Sequence, residues 1–206
     1  WAGFAVAPIG VLAIIMSPLV GATQSHFDLR VLNSIGFAIF AACSFWMASQ
    51  DTSVGYAQVA IPRLVMGAGI ALFFVPVNQI ILSGLPDEEI ASASGLSNFL
   101  RTLAGSVATA VSTTMYEHRT TFHHAMLIQH TQDGAAATQA YLNGFGQAGL
   151  QGPAAYASLN KIVNAQAATL ASNDVFWCFG LMFGLAMVTI WFTRPPFTGG
   201  SGGGGH

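Results

Sequence analysis

The chain has 206 residues, of which 53% are hydrophobic and only 7% are charged. An average soluble domain carries about 25% charged residues, so this composition argues against a water-soluble enzyme and indicates a polytopic membrane protein. The 6 Lys and Arg residues form no basic patch, which argues against nucleic-acid binding. The chain opens on Trp1 inside an apolar run, so we expect a piece of a longer polypeptide.

Apolar runs in chain order predict the first transmembrane helices. A bilayer core needs about 20 apolar residues at 1.5 Å each, and runs of that kind lie roughly at 3–20, 31–48 and 57–82. Pro76 lies inside the third run, and we expect it to kink that helix because proline removes a backbone donor. These runs predict three membrane spans joined by short polar loops.

The second half of the chain is less uniform. Residues 92–116 are rich in Gly, Ala, Ser and Thr, which is typical of helices packed inside a membrane bundle, so we predict a fourth span and assign 1–116 to spans one to four. The polar stretch 117–173 predicts a long helical loop on the periplasmic side. Residues 174–194 predict the last span, and 195–206 a flexible glycine-rich cytoplasmic tail.

Three segments of the chain carry a family resemblance. The run SGLPDEEIASASGLSNFLRTLAGSVATAVSTTMYEHR, the opening WAGFAVAPIGVLAIIMSPLVG and the closing FWCFGLMFGLAMVTIWFTRPPF resemble the EmrB-type drug:proton antiporters of the major facilitator superfamily. The resemblance implies an all-α, polytopic transmembrane helix bundle with the major-facilitator fold. It also implies that this chain supplies about five spans of the C-terminal bundle, in the bacterial inner membrane.

The resemblance also implies a function and partners. EmrB-type permeases export small hydrophobic or aromatic drugs, which confers antibiotic resistance, and they use the proton gradient without another cofactor. The expected partners are membrane lipid, the N-terminal bundle of the same permease, a periplasmic adaptor (EmrA-like) and an outer-membrane channel (TolC-like). The carboxylates credited with proton coupling lie mainly in that N-terminal bundle.

The loop that follows the first span resembles a second-half copy of the superfamily's cytoplasmic gating motif. Its matching residues are Gly21, Asp28 and Arg30. We expect Asp28 and Arg30 to form a charge contact that favours one conformation of the bundle. A plain solvated loop is the alternative.

Arg101 is the candidate that the sequence singles out most clearly. If the fourth span begins near Ser92, Arg101 lies about 14 Å along the helix axis, where a charge costs at least about 2.5–3.5 kcal/mol. It therefore has to face a cavity or a partner, as a residue of the substrate path or of proton coupling. The alternative is an arginine at the cytoplasmic end that extends to the headgroups. Its expected partner is Asp28, the acidic cluster 87–89, a carbonyl or the N-terminal bundle.

Amide and aromatic side chains complete the predicted substrate path. Asn78 and Gln79 are adjacent in the third span and cannot both face lipid cheaply, so one or both should face the bundle. There they would hydrogen-bond substrate, with Phe73 and Phe74 as apolar walls, or would join helices to one another. Asn98, near Arg101, has the same two interpretations.

The remaining polar residues predict neither a metal site nor an enzyme. The histidines at 118, 123, 124 and 130 lack the spacing of a helical metal-binding pair, and we interpret them as solvated loop residues. No catalytic triad, CxxC motif, P-loop or GxGxxG unit occurs. Two alternatives to proton-driven export stay open: an importer or facilitator of a small solute on the same fold, and a membrane interaction protein that does not transport.

Overall fold

The computed structural model describes residues 2–23, 27–132, 136–147, 149 and 152–192. Every element in these ranges is helical, so the predicted all-α class is confirmed. The predicted tail 195–206 lies outside the described residues. The helices are α1 Ala2–Thr23, α2 Leu29–Ala48, α3 Tyr56–Leu82, α4 Asp87–Gln132, α5 Ala136–Gln147 and α6 Pro153–Thr189, which continues into the 3₁₀ turn Ile190–Phe192.

The starts of the helices follow from local side-chain chemistry. Asp28 caps α2, because its carboxylate accepts a hydrogen bond from the backbone N–H of Arg30 at 2.9 Å. At the start of α3, the Gln58 side chain accepts the backbone N–H of Gly55 at 2.8 Å. The first turn of α4 carries three acidic residues, which stabilise the positive end of the helix dipole.

Three of the described helices are long and apolar enough to cross a bilayer: α2, α3 and the helix that runs from Pro153 to Phe192. The stretch Ala7–Thr23 of α1 is also apolar, and α4 is not among the three. The multi-pass character therefore rests on α2, α3 and α6. Crossings by 3–20 and 92–116 stay predictions.

The helices α4 and α6 are much longer than a membrane requires. Their 46 and 37 residues correspond to about 69 Å and 55 Å, against a hydrocarbon core of about 30 Å. The boundaries expected at 116 and 174 both fall within continuous helix. The described helices within 117–173 are the second part of α4, α5 and the first part of α6, so most of this described helix belongs to extensions of the two long helices.

Packing connects the helices in a defined order. The helix α3 packs against α1 and α2, α2 packs against α6, and α6 packs against α4, whereas the contact between α3 and α4 is small. Gly67 of α3 lies against the backbone of Ile9 in α1, and Gly36 of α2 lies against the backbone of α3 at Leu72. Glycine permits such close approach of membrane helices because it has no side chain. The buried core beside these contacts includes Val20, Leu32 and Ala71.

Candidate functional site

Arg101 of α4 and two residues of α3 meet where these helices approach each other. Nη2 of Arg101 donates a hydrogen bond to Oδ1 of Asn78 at 2.9 Å. The guanidinium carbon lies 5.0 Å from the centroid of the Phe74 ring, within range of a cation–π interaction. The partner of Arg101 is thus an amide carbonyl and an aromatic face. This contact bridges the sparsely packed α3–α4 junction.

Two adjoining cavities open around Arg101, and its side chain lines both. The first has a volume of about 200 Å³ and a mixed polar lining of Asn78, Ile81, Leu82, Ser94, Ser97, Asn98 and Arg101. The second has a volume of about 480 Å³ and a mainly apolar lining of Phe73, Val77, Ile81, Ala93, Leu96, Ser97, Leu100, Arg101 and Ala104. Together they offer an apolar space with a few convergent polar groups, the usual composition of a small-molecule site.

The surface of α4 beside these cavities is apolar and exposed. The large side chains recur at helical spacing along one face, which is the pattern of an amphipathic contact surface. Neither described cavity lining contains a carboxylate, so the local charge of the site is positive. The exposed residues of this α4 stripe are Leu96, Phe99, Leu100, Leu103, Val107 and Val111.

A second charged cluster joins α4 to α6. Nε of Arg119 donates a hydrogen bond to Oδ2 of Asp174 at 2.6 Å, and Nε2 of His123 lies 2.6 Å from the same oxygen. The guanidinium of Arg119 also lies 5.3 Å from the centroid of the Phe122 ring. Arg119, His123 and Asp174 thus form a polar link between α4 and α6, the two longest of the described helices.

The loop between α2 and α3 contacts α6 at the same level. Asn173 donates a hydrogen bond to the carbonyl of Gln50 at 2.8 Å. Asp51 of this loop accepts hydrogen bonds from the hydroxyl and backbone N–H of Ser53, and these bonds lower the pKa of Asp51, the hydroxyl contributing most. Residues 173 and 174 thus tie α6 to the loop on one side and to α4 on the other.

Comparison with known proteins identifies the family. The chain is 37% identical over 198 residues to the multidrug export protein EmrB of Haemophilus influenzae, covering 96% of this chain and 39% of that protein. It is 37% identical over 209 aligned positions to EmrB of Escherichia coli K12, covering 100% of this chain and 40% of that protein. No family model matches the chain.

The chain belongs to the EmrB-type family of the major facilitator superfamily. The fatty acid resistance protein FarB of Neisseria gonorrhoeae is also similar, with 33% identity over 206 residues, 100% of this chain and 40% of FarB. The chain thus spans about 40% of the length of these curated relatives. The relatives are transport and resistance proteins, and the apolar helices agree with a multi-pass membrane protein.

The structure brings five of the six substrate-path residues predicted from this EmrB-type sequence to one place. Phe74 and Asn78 contact Arg101 directly, Asn98 lines the polar cavity, and Phe73 lines the apolar one. Gln79 lines neither described cavity. Their role in substrate binding stays a prediction.

The residues predicted for the cytoplasmic loop and for the helix kink do not line the two cavities beside Arg101. Gly21 lies inside α1, which continues to Thr23, and part of the expected loop, residues 24–26, falls outside the described residues. Asp28 accepts the backbone N–H of Arg30 as a helix cap. Pro76 is fully buried within α3. Gating by the loop and kinking at Pro76 stay predictions.

The Arg119–His123–Asp174 cluster was missed by the sequence reasoning. His123 was interpreted as a solvated loop residue, whereas 18% of its side chain is exposed and it contacts a carboxylate. A signal was present, because Asp174 is the last acidic residue of the chain and directly precedes an apolar run, where a charge needs a partner. Among the described residues, no group of His, Cys, Asp and Glu could hold a metal ion.

Proposed function

We propose that this chain forms the C-terminal bundle of a proton-driven multidrug permease that exports hydrophobic and aromatic compounds by alternating access. The observation that carries the proposal is the Phe74–Arg101–Asn78 site, which adjoins two cavities and the exposed α4 stripe. A site between two rocking helix bundles has to be open toward the partner bundle. The small α3–α4 contact is consistent with that requirement.

The positive charge of the Arg101 site indicates which chemical class of compound it would bind. Arg101 is a permanent cation, and the described linings of the two cavities contribute amides, hydroxyls and apolar groups around it. Phe73 and the α4 stripe supply apolar contacts to an aromatic ring system. Neutral or anionic aromatic compounds fit this surface better than cations. The similarity to a protein named for fatty acid resistance agrees with an amphiphilic acid as one such compound.

The proposal extends to location and partners. The chain would lie in the inner membrane of a bacterium, surrounded by lipid and paired with the N-terminal bundle of its own permease. A periplasmic adaptor and an outer-membrane channel would complete a tripartite pump. The parts of α4 and α6 that extend beyond a bilayer thickness, together with α5, offer a surface for the adaptor. In this arrangement the protein transports its substrate without altering it chemically.

Transport by the full-length permease in proteoliposomes tests the proposal. We expect a hydrophobic aromatic anion to move out of the cytoplasmic compartment against its gradient only when protons flow inward. Dissipating the pH gradient with nigericin should stop net transport while leaving the protein and vesicles intact. Equilibration that is independent of protons would support the facilitator alternative, and movement in the opposite direction would support an importer. Vesicles with the Arg101→Ala permease provide the matched background.

A further inference from the structure

The link between α4 and α6 is built on one carboxylate oxygen. Oδ2 of Asp174 accepts a hydrogen bond from Nε of Arg119 at 2.6 Å. The same oxygen lies 2.6 Å from Nε2 of His123. Because a carboxylate oxygen accepts and does not donate, Nε2 of His123 must carry a hydrogen. The imidazole is therefore either the neutral Nε2–H tautomer or the cation.

Both forms of the imidazole fit this geometry, which is the property required of a site that binds a proton reversibly. The neutral ring donates a hydrogen bond, and the cation donates the same bond with a favourable charge interaction. Histidine is the side chain that ordinarily changes charge between about pH 5 and 8. Protonation therefore changes the strength of the α4–α6 link without requiring its atoms to move.

Arg119 places an opposing positive charge on the same carboxylate oxygen that His123 contacts. Its guanidinium already neutralises Asp174, so the cluster has no net charge when His123 is neutral and one positive charge when His123 is protonated. The carboxylate favours the proton and the guanidinium opposes it, since an opposite charge favours the charged form of a group and a like charge disfavours it. The stacking of Arg119 on Phe122 holds the opposing charge in place.

The position of the cluster allows proton access from solvent. The exposed fractions of the Arg119, His123 and Asp174 side chains are 42%, 18% and 28%. On one side, an apolar groove of about 720 Å³ between α4 and α6 reaches Met115 and Val175, immediately next to the cluster. The site thus lies between an apolar groove and water, at the end of the groove remote from Arg101.

The other ionisable groups around the cluster are few. On α4 the neighbouring residues are Glu117, His118 and His124, and on α6 Cys178 lies near enough to Arg119 to interact with its charge. Lys161 of α6 is 13 positions from Asp174, or about 20 Å along the helix. From the α2–α3 loop, Asp51 shares a cavity with Asn173. The helix α5 carries no charged residue, and its one ionisable group is Tyr141.

We propose that His123 and Asp174, with Arg119 as the opposing charge, form a proton-binding site that couples α4 to α6. Acid outside the membrane places a proton on His123 and strengthens the link between the two helices. Alkaline conditions remove the proton and leave a neutral hydrogen bond. Because proton binding is measured on the protein itself, the proposal does not depend on the transport activity inferred above.

Histidine titration in the full-length permease tests the proposal. The protein is labelled with ¹⁵N-histidine, held in lipid nanodiscs and followed by NMR from pH 4 to 9, and the spectrum of His123→Gln assigns the His123 signal. We expect Asp174→Asn to lower the proton affinity of His123 about tenfold or more. Arg119→Gln should raise it, and Arg119→Lys, which keeps the charge, should leave it close to wild type.

His118 is the matched control, since it is an exposed histidine on the same helix. Its titration should not respond to either the Asp174 or the Arg119 substitution. If the cluster had a purely structural role, the Asp174 and Arg119 substitutions would not shift the proton affinity of His123 in opposite directions while leaving that of His118 unchanged. An unchanged His123 titration in Asp174→Asn, or equal shifts of His118 and His123, would overturn the proposal. If Arg119→Gln fails to fold, Asp174→Asn and Arg119→Lys still decide between these outcomes.

Discussion

Arg101 illustrates how a charge can be accommodated next to a membrane without a carboxylate. Its guanidinium has several donors, one of which is bound by the amide oxygen of Asn78, while its flat face lies over Phe74. A planar cation suits this pair of partners because it donates in its plane and stacks above it. Lysine has no such plane. Geometry as well as charge should therefore determine what Arg101 does.

Substitution of Arg101 separates these contributions. We expect Arg101→Ala in the full-length permease to reduce efflux of an anionic aromatic compound by at least about tenfold, a value typical of losing a charge-assisted hydrogen bond. Arg101→Lys should recover part of that loss, because it restores the charge but not the stacking. Efflux rates are compared at equal membrane levels of protein. Gln79→Ala, an adjacent amide that lines neither cavity, is the control, and unchanged efflux in Arg101→Ala would favour an arginine that only contacts headgroups.

Phe73 and Phe74 are neighbours in sequence but should respond differently to substitution. The Phe74 ring lies under the guanidinium. Phe74→Leu should therefore weaken the apparent affinity of efflux for its substrate by roughly two- to fivefold, which corresponds to a cation–π contact at an exposed site. Phe73 instead packs against the rings of Phe37 and Phe40 at centroid distances of 5.2 and 6.2 Å. Phe73→Leu should therefore lower thermal stability in addition to removing part of the apolar contact with substrate. Concentration dependence of efflux and thermal midpoints distinguish the two effects, and identical behaviour of both variants would contradict the assignment.

Sequence reasoning predicted most members of the Arg101 site but not their pairing. The charge of Arg101 and the amide of Asn78 were each conspicuous in apolar surroundings, and desolvation alone requires such groups to find partners. Which partner each finds depends on how α3 and α4 cross, and that crossing brings together residues 23 positions apart in the sequence. Asp174 was missed for a related reason. It lies at the edge of an apolar run, and its partners Arg119 and His123 are more than 50 positions away in the sequence.

At the scale of helices, the sequence predicted which segments are helical better than it predicted where each helix ends. The segment 117–173 was expected to be helical and outside the membrane, but its polarity gave no indication that α4 and α6 would continue into it without a break. Neither boundary carries a proline or glycine that would end a helix, so hydrogen bonding continues through them. Hydropathy marks where a helix leaves lipid. Helix ends are instead set by caps and breakers.

The α1–α3 contact makes a prediction for Gly67. A Cβ atom at this position would overlap the backbone of Ile9 in the facing helix, and a backbone cannot rotate away as a side chain can. We expect Gly67→Ala to destabilise the full-length permease by about 1–3 kcal/mol, as overpacking does, and to lower its thermal midpoint. Gly10→Ala is the matched control because its Cβ meets no atom within 4 Å. Equal midpoints for the two variants would show that α1 and α3 are farther apart.

For the whole molecule, the main observation is how much apolar surface α4 leaves exposed. The exposed fractions of Leu96, Phe99 and Val111 are 60%, 62% and 61%, and they lie on the helix that also carries Arg101. In a membrane such a face contacts either lipid or another part of the protein. The arginine among these residues favours protein and a water-accessible cavity, because a charge facing hydrocarbon is costly. The chain covers about 40% of the length of its EmrB relatives, and in the proposed permease the N-terminal bundle would cover this face.

If transport requires the N-terminal bundle of the proposed permease, residues 1–206 should be inactive by themselves. Alternating access needs two bodies that move about a shared site, and in the proposed permease residues 1–206 would supply only one of them. Reconstituted by itself in liposomes, the chain should show no drug-stimulated proton flux, while the full-length permease in matched liposomes should. Proton flux is followed with a pH-sensitive dye inside the vesicles, and protein-free liposomes provide the inactive reference. Drug-stimulated flux from the isolated chain would mean that α1–α6 contain a complete transport path, and the α4 stripe would then be a lipid-facing surface.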